Sequence, residues 1–125
     1  MKVTQKKKTI LVVDDEKEIC KIIQKILIQE GYAISIALNG KDALRHIKEK
    51  PVDLMLIDLK MPTMNGLEVI KEAHEICADL KAILLTAYGT AASARSALYL
   101  GVHDFLTKPF DNKLLKKVVR DALRA

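Results

Sequence analysis

The sequence predicts a doubly wound α/β fold, (βα)5, in which a five-stranded parallel sheet of order 2-1-3-4-5 carries helices on both faces. Three observations predict it. Short apolar runs alternate with helical patterns five times along 125 residues. The central runs are apolar almost without interruption, as strands buried on both faces require. Crossovers between parallel strands are right-handed, which leaves few ways to wind such a chain, and 2-1-3-4-5 is a common order for five strands. The length suits one domain, and half of the residues are apolar, enough for a core without disulfides or a structural metal.

Residues 1–8 read as a basic tail, with Lys6, Lys7 and Lys8 keeping a strand edge soluble, and residues 9–125 as the domain. Thr9–Val13 is a β-branched run and forms the first strand. Ile19, Ile22, Ile23, Ile26 and Leu27 recur at helical spacing until Gly31 closes the helix. Residues 32–38 form the second strand. Asn39 and Gly40 start a helix with Ala43, Leu44 and Ile47 on its apolar face, and Pro51 stops it. Residues 54–57 make a third strand ending at Asp58. Pro62 and Gly66 punctuate a loop before a helix carrying Leu67, Ile70 and Ala73. Residues 82–85 form the fourth strand, ending at Thr86, and a small-residue helix follows over 90–100. Residues 104–107 are a short fifth strand, then come Lys108 and Pro109. The last helix sets Leu114, Leu115, Val118, Val119 and Ala122 on one side, with Lys113, Lys116, Lys117, Arg120 and Arg124 over much of the rest. The winding is flavodoxin-like.

Composition narrows the function. The formal charge is +5, but only 4% of residues are aromatic and none is Trp, so a stacking platform for bases is absent and direct nucleic-acid binding is not expected. The basic face of the last helix reads as a solvated face. Cys20 and Cys77 have no second Cys or His at metal-ligand spacing and read as two thiols in a reducing compartment. No apolar stretch reaches the ~20 residues of a membrane span. The apolar run after the basic start is cut short by Asp14 and Asp15, so no secretory signal is read, and the expected location is the cytoplasm. His46, His74 and His103 are expected at the surface, and Met55, Met61 and Met64 in core and loop gaps.

In an open parallel sheet, ligands bind beyond the carboxyl ends of the strands. Those ends are Asp14 and Asp15, Asp58, Thr86 and Lys108. Clustered carboxylates repel one another unless something positive intervenes. Mg²⁺ suits a few carboxylates with waters and phosphate oxygens, and Lys108 adds compensation. The plainer alternative makes Asp14 and Asp15 caps of the first helix. The chemistry suggested is attack by a carboxylate oxygen on a phosphoryl group, with Lys108 and the Thr86 hydroxyl on its equatorial oxygens.

The segments ILVVDD (10–15), LIDLKMPTMNG (56–66), LLTAYG (84–89) and GVHDFLTKPF (101–110) resemble receiver domains of two-component response regulators. The resemblance covers essentially the whole chain. It implies that Asp58 accepts a phosphoryl group from a histidine kinase or histidine phosphotransfer protein. It further implies that Asp15, Asp58 and the Lys60 backbone carbonyl ligate Mg²⁺ directly, with Asp14 acting largely through water. Lys108 would pair with Asp58 or its phosphate, and Thr86 and Phe105 would form a switch pair whose ring turns inward. A cis peptide before Pro109 is expected on the same ground. Gly66 either permits a sharp turn into the third helix or is an ordinary loop glycine.

Lys60 and Tyr88 occupy the two positions that vary in this family and tune phosphate lifetime. Both are large, and with their flanking DLK and TAYG strings they look like the stand-alone receiver of a sporulation phosphorelay. A long-lived phosphoaspartate is therefore expected. The resemblance implies phosphodonor docking at the first helix and nearby strand-end loops. It also implies output or dimerisation through the face built from the 90–100 helix, the fifth strand and the last helix. The downstream partner is another protein or an output domain, and the sequence leaves open whether the chain stands alone. Such a protein assists its own phosphorylation and dephosphorylation without an independent turnover function. Competing readings are an interaction module that never cycles phosphate, against which the intact acidic and lysine set argues, and a Mg²⁺-dependent hydrolase, for which no second acid-base residue is found. A flavin-binding protein is weaker still, because no phosphate-cradling loop follows the first strand.

Overall fold

The computed structural model describes residues 7–87 and 101–124. The elements are β1 (Thr9–Val13), α1 (Lys17–Gln29), β2 (Ala33–Ala37), α2 (Gly40–Glu49), β3 (Leu54–Asp58), α3 (Gly66–Ile76), β4 (Lys81–Thr86), β5 (Asp104–Thr107) and α4 (Asn112–Arg124). The strands form one sheet of order β2-β1-β3-β4-β5, and every pairing is parallel. The helix expected over 90–100, Tyr88 and most of the basic tail lie outside the described residues.

The period-two geometry of a strand sorts its side chains into two cores. Leu11, Val13, Met55 and Ile57 point to the face covered by α2 and α3, where they meet Ile47, Val69 and Ile70. Ile10, Val12, Leu54 and Leu56 point to the other face, where Ile23 and Leu27 of α1 and Leu115 and Val119 of α4 cover them. Each such side chain fully buried contributes about 1.5–3 kcal/mol. Because β1 and β3 are apolar toward both faces, they occupy the middle of the sheet, and their ends become the natural rim for a site.

Local signals set the element ends. The Asn39 side chain accepts from Asp42 N at 2.8 Å and caps α2. Asn65 Oδ1 accepts from Leu67 N and Glu68 N and caps α3. Gly31 follows α1 with φ +92°, a backbone that side chains disfavour. Boundaries shift by a residue or so from the sequence reading. β2 loses Tyr32 and Leu38, β3 takes in Asp58, and β4 runs from Lys81 through Thr86.

Some expectations are corrected. Leu114 is 45% exposed and lies off the buried stripe of α4, which Leu115, Val118, Val119 and Ala122 fill. Ile22 is also exposed. His46 and His74 are half-buried rather than surface residues. A ring nitrogen of His74 bonds the Leu80 carbonyl at 2.8 Å, tying α3 to the loop before β4. Both cysteines are free, Cys20 buried and Cys77 half-buried. No described helix is long and apolar enough to cross a membrane.

Candidate functional site

β1 and β3 are neighbours in register, Val13 opposite Ile57, so the residues after them emerge together. Asp14 continues β1, and its N–H donates to the Ala37 carbonyl of β2 at 3.2 Å. Its carboxylate is fully buried. Asp14 Oδ1 accepts from Glu16 N at 2.9 Å, and Asp14 Oδ2 accepts from Lys108 Nζ at 2.9 Å. Neither acid caps α1, whose N-cap is Glu16 with no side-chain bond, so the plainer alternative for Asp14 and Asp15 falls away. Asp15 is exposed. Carboxylate oxygens of Asp14, Asp15 and Asp58 lie within 4.8 Å of one another.

Asp58 is the last residue of β3 and is 7% exposed. Lys108 Nζ lies 3.4 Å from Asp58 Oδ2, so one ammonium spans Asp14 and Asp58. The Lys60 N–H donates to Asp58 Oδ1 at 3.3 Å. Burial pushes the Asp58 carboxyl above the usual carboxylate value, and the Asp14 charge adds to this against the pull of Lys108. For Lys108, burial works against the charged form, but the hydrogen bond to Asp14 and the charges of both aspartates outweigh it, and its pKa is raised.

Lys108 is aimed by the end of β5. Its N–H donates to the Thr86 carbonyl at 2.7 Å, and the bond to Pro109 is cis, as expected. Thr86 ends β4 and is buried. Phe105 pairs in register with Leu84 and is 41% exposed, so its ring is turned out in this structure.

The structure gives Gly66 a definite reason. A Cβ there would lie 2.4 Å from the Asp58 carbonyl oxygen, and Gly66 N donates to the Leu59 carbonyl at 2.7 Å. The backbone entering α3 thus presses on the strand end that carries Asp58, and only glycine fits. Sequence reasoning missed two other features: the Glu16 N–H that orients Asp14, and the Cys20 thiol that donates to the Asp14 carbonyl at 3.4 Å. A backbone donor leaves no trace in residue identity. Burial raises the Cys20 thiol to about 11, which keeps it protonated and inert.

Beside the site, Ile19, Ile22, Ile26, Pro109 and Phe110 line an apolar groove of about 470 Å³ between α1 and the start of α4, with Lys108 at its rim.

Residues 10–120 match the family model of the response regulator receiver domain. Among curated proteins, the chain is 39% identical over 114 residues to the transcriptional regulatory protein ZraR of Klebsiella oxytoca, covering 91% of this chain and 26% of that protein. It is 37% identical over 110 residues to the transcriptional regulatory protein DltR of Streptococcus agalactiae, covering 87% of this chain and 49% of that one. The chain therefore spans between a quarter and a half of the length of these relatives. Among solved structures, a CheY-like response regulator receiver domain protein from Methanospirillum hungatei superposes with a TM-score of 0.91 at 30% identity over 95% of both chains. Response regulator TrrA of Thermotoga maritima, solved in complex with Mg²⁺-BeF, superposes with a TM-score of 0.83 at 38% identity over 92% of this chain and 98% of that one.

Proposed function

Because the chain belongs to the response regulator receiver domain family, we propose that Asp58 is the phosphoacceptor of its phosphorylation-dependent switch. The observation that carries this assignment is the cluster itself. Asp58 closes a central strand, with carboxylates of Asp14 and Asp15 within 4.8 Å and Lys108 Nζ at 3.4 Å. A carboxylate kept only to cap or solvate has no need of that company.

The donor set fits a hard divalent cation. Of the three clustered carboxylates, Asp14 and Asp58 share one ammonium, and Asp15 makes no hydrogen bond or ion pair among the described residues. Asp15, Asp58 and the Lys60 carbonyl would hold Mg²⁺, with Asp14 acting through water. Bound Mg²⁺ supplies charge neutralisation for the carboxylates and the incoming phosphoryl oxygens. A carboxylate oxygen of Asp58 attacks phosphorus, the new O–P bond forms as the donor's P–N or P–O bond breaks, and the leaving group takes a proton from solvent. Lys108 and Thr86 receive the phosphoryl oxygens. Thr86 is drawn toward the phosphate and Phe105 moves inward behind it, which changes the face around β5.

The phosphodonor is a histidine kinase or phosphotransfer protein, and the groove beside α1 supports docking there. The output is a downstream protein, as in a phosphorelay, or a domain joined to this one, and it is reached through the face that includes β5 and α4. A cytoplasmic location belongs to this reading, as does the division into a tail over 1–8 and a domain over 9–125. Lys60 and Tyr88 slow the loss of phosphate by crowding the path of water; Lys60 is exposed beside Asp58.

The test is intact mass after incubation with Mg²⁺ and acetyl phosphate. One phosphoryl group should appear on the native chain and none on Asp58→Ala. Phosphorylation of the Asp58→Ala chain to the same extent would move the acceptor elsewhere. The same sample followed in time reads the lifetime, which should be many minutes and should shorten in Lys60→Ala.

A further inference from the structure

The sheet has two edges, and they are built differently. The β5 edge opens with the exposed, charged Asp104. The β2 edge has no such protection. Residues 31–40, GYAISIALNG, contain no charge and no proline, in a chain that is 30% charged. Proteins usually blunt an exposed edge with lysine, proline or a bulge, because unpaired N–H and C=O groups recruit another strand.

The outward groups can be identified. Ala33 N donates to the Lys8 carbonyl and the Ala37 carbonyl accepts from Asp14 N, so residues 33, 35 and 37 bond toward β1. Strand alternation then turns the N–H and C=O of Ile34 and Ile36 outward, where no other described element bonds them. The strand reads Ala-Ile-Ser-Ile-Ala, the same in both directions.

We propose that β2 is a self-pairing edge through which two copies of this chain join antiparallel about a two-fold axis at Ser35. In an isologous contact residue i meets j and j meets i, and the palindrome makes the facing side chains identical, Ile against Ile and Ser against Ser. Ile34 of one copy lies opposite Ile36 of the other, and each such pair exchanges both backbone bonds. Ser35 meets its twin in the close, non-hydrogen-bonded position, with Cα atoms about 4.5 Å apart and two hydroxyls able to bond each other. Ile34 and Ile36 are partly buried and pack against the apolar core under α1, so pairing would cover them further across the axis. Leu38, the residue after the strand, is apolar and 38% exposed. The Ala37 carbonyl that ends β2 holds the N–H of Asp14, so the contact stops one hydrogen bond from the acidic site.

Sedimentation of the full chain from about 10 μM to about 1 mM spans the range in which a small interface assembles. The 14.0 kDa species should double in mass, and the Ile34 and Ile36 amides should gain exchange protection with concentration. Ser35→Lys, which sets like charges face to face, should abolish the doubling while leaving the circular dichroism unchanged. Ser35→Cys in a Cys77→Ser background should oxidise to a covalent dimer, and Leu114→Cys on α4 should not. A monomer throughout, a dimer indifferent to Ser35→Lys, protection gained only with an added extended peptide, or preferential cross-linking at Leu114→Cys would each overturn the proposal.

Discussion

A carboxylate proposed to accept a phosphoryl group must be positioned by the fold yet remain reachable, and Asp58 sits at that compromise. It is 7% exposed, faces the Asp14 carboxylate and shares one lysine with it. Its raised pKa makes it a group that the fold tolerates rather than favours. The sign follows from linkage. With the native pKa above the unfolded one, the folded chain binds the proton more tightly, so stability from this group is full below the unfolded pKa of 3.8 and is lost as pH rises through the native value. Asp58→Asn carries no such charge. In metal-free buffer at neutral pH it should be more stable than the native chain by on the order of 1 kcal/mol, the scale of relieving one imperfectly compensated buried charge. Melting temperature against pH checks this. The advantage should vanish toward pH 3, and an equal gain at both ends would reject the electrostatic cause.

At the scale of elements, the loop between β3 and α3 is held at both ends. Gly66 leans on the Asp58 carbonyl, and Asn65 closes the first turn of α3 with two backbone bonds. Asn65→Ala should cost about 1 kcal/mol of stability, the usual loss for a capping side chain. Because the same loop carries Lys60, whose N–H bonds Asp58, the variant should also accept phosphate from acetyl phosphate more slowly. Chemical denaturation and phosphorylation rate measure the two effects, and a fall in rate with unchanged stability would separate the cap from the site. α4 is fixed differently, by Lys81 Nζ donating to the Ala122 carbonyl near its C-terminus at 2.7 Å, so β4 and α4 are joined far from the acidic rim.

For the whole molecule, the topology gathers carboxylates at one rim and leaves their repulsion to be relieved by a cation. Mg²⁺ binding to the folded form alone should therefore raise the melting temperature. At ten times its dissociation constant, linkage gives about 1.4 kcal/mol, roughly 5 °C for a domain of this size. Asp15→Asn should lose most of that shift, since Asp15 is the exposed, unpaired acid of the three. An equal shift in Asp15→Asn, or with NaCl at matched ionic strength, would show that the cation acts by screening alone.

The element order and the strand-end chemistry were legible in the sequence because both are periodic. Apolar runs such as LVV and LML are readable as central strands, and a β-α alternation admits few windings, so Asp14, Asp15, Asp58, Thr86 and Lys108 could be placed on one rim before any coordinates. What periodicity does not carry is contact. Only the tertiary structure decided that Gly66 has no room for a Cβ, that Glu16 N orients Asp14, that Lys108 bridges two aspartates, and that Leu114 faces solvent. Each depends on the separation of atoms brought together from distant parts of the chain or on backbone donors common to nearly all residues. Residue identity fixes which groups exist; the packing of elements fixes which of them touch.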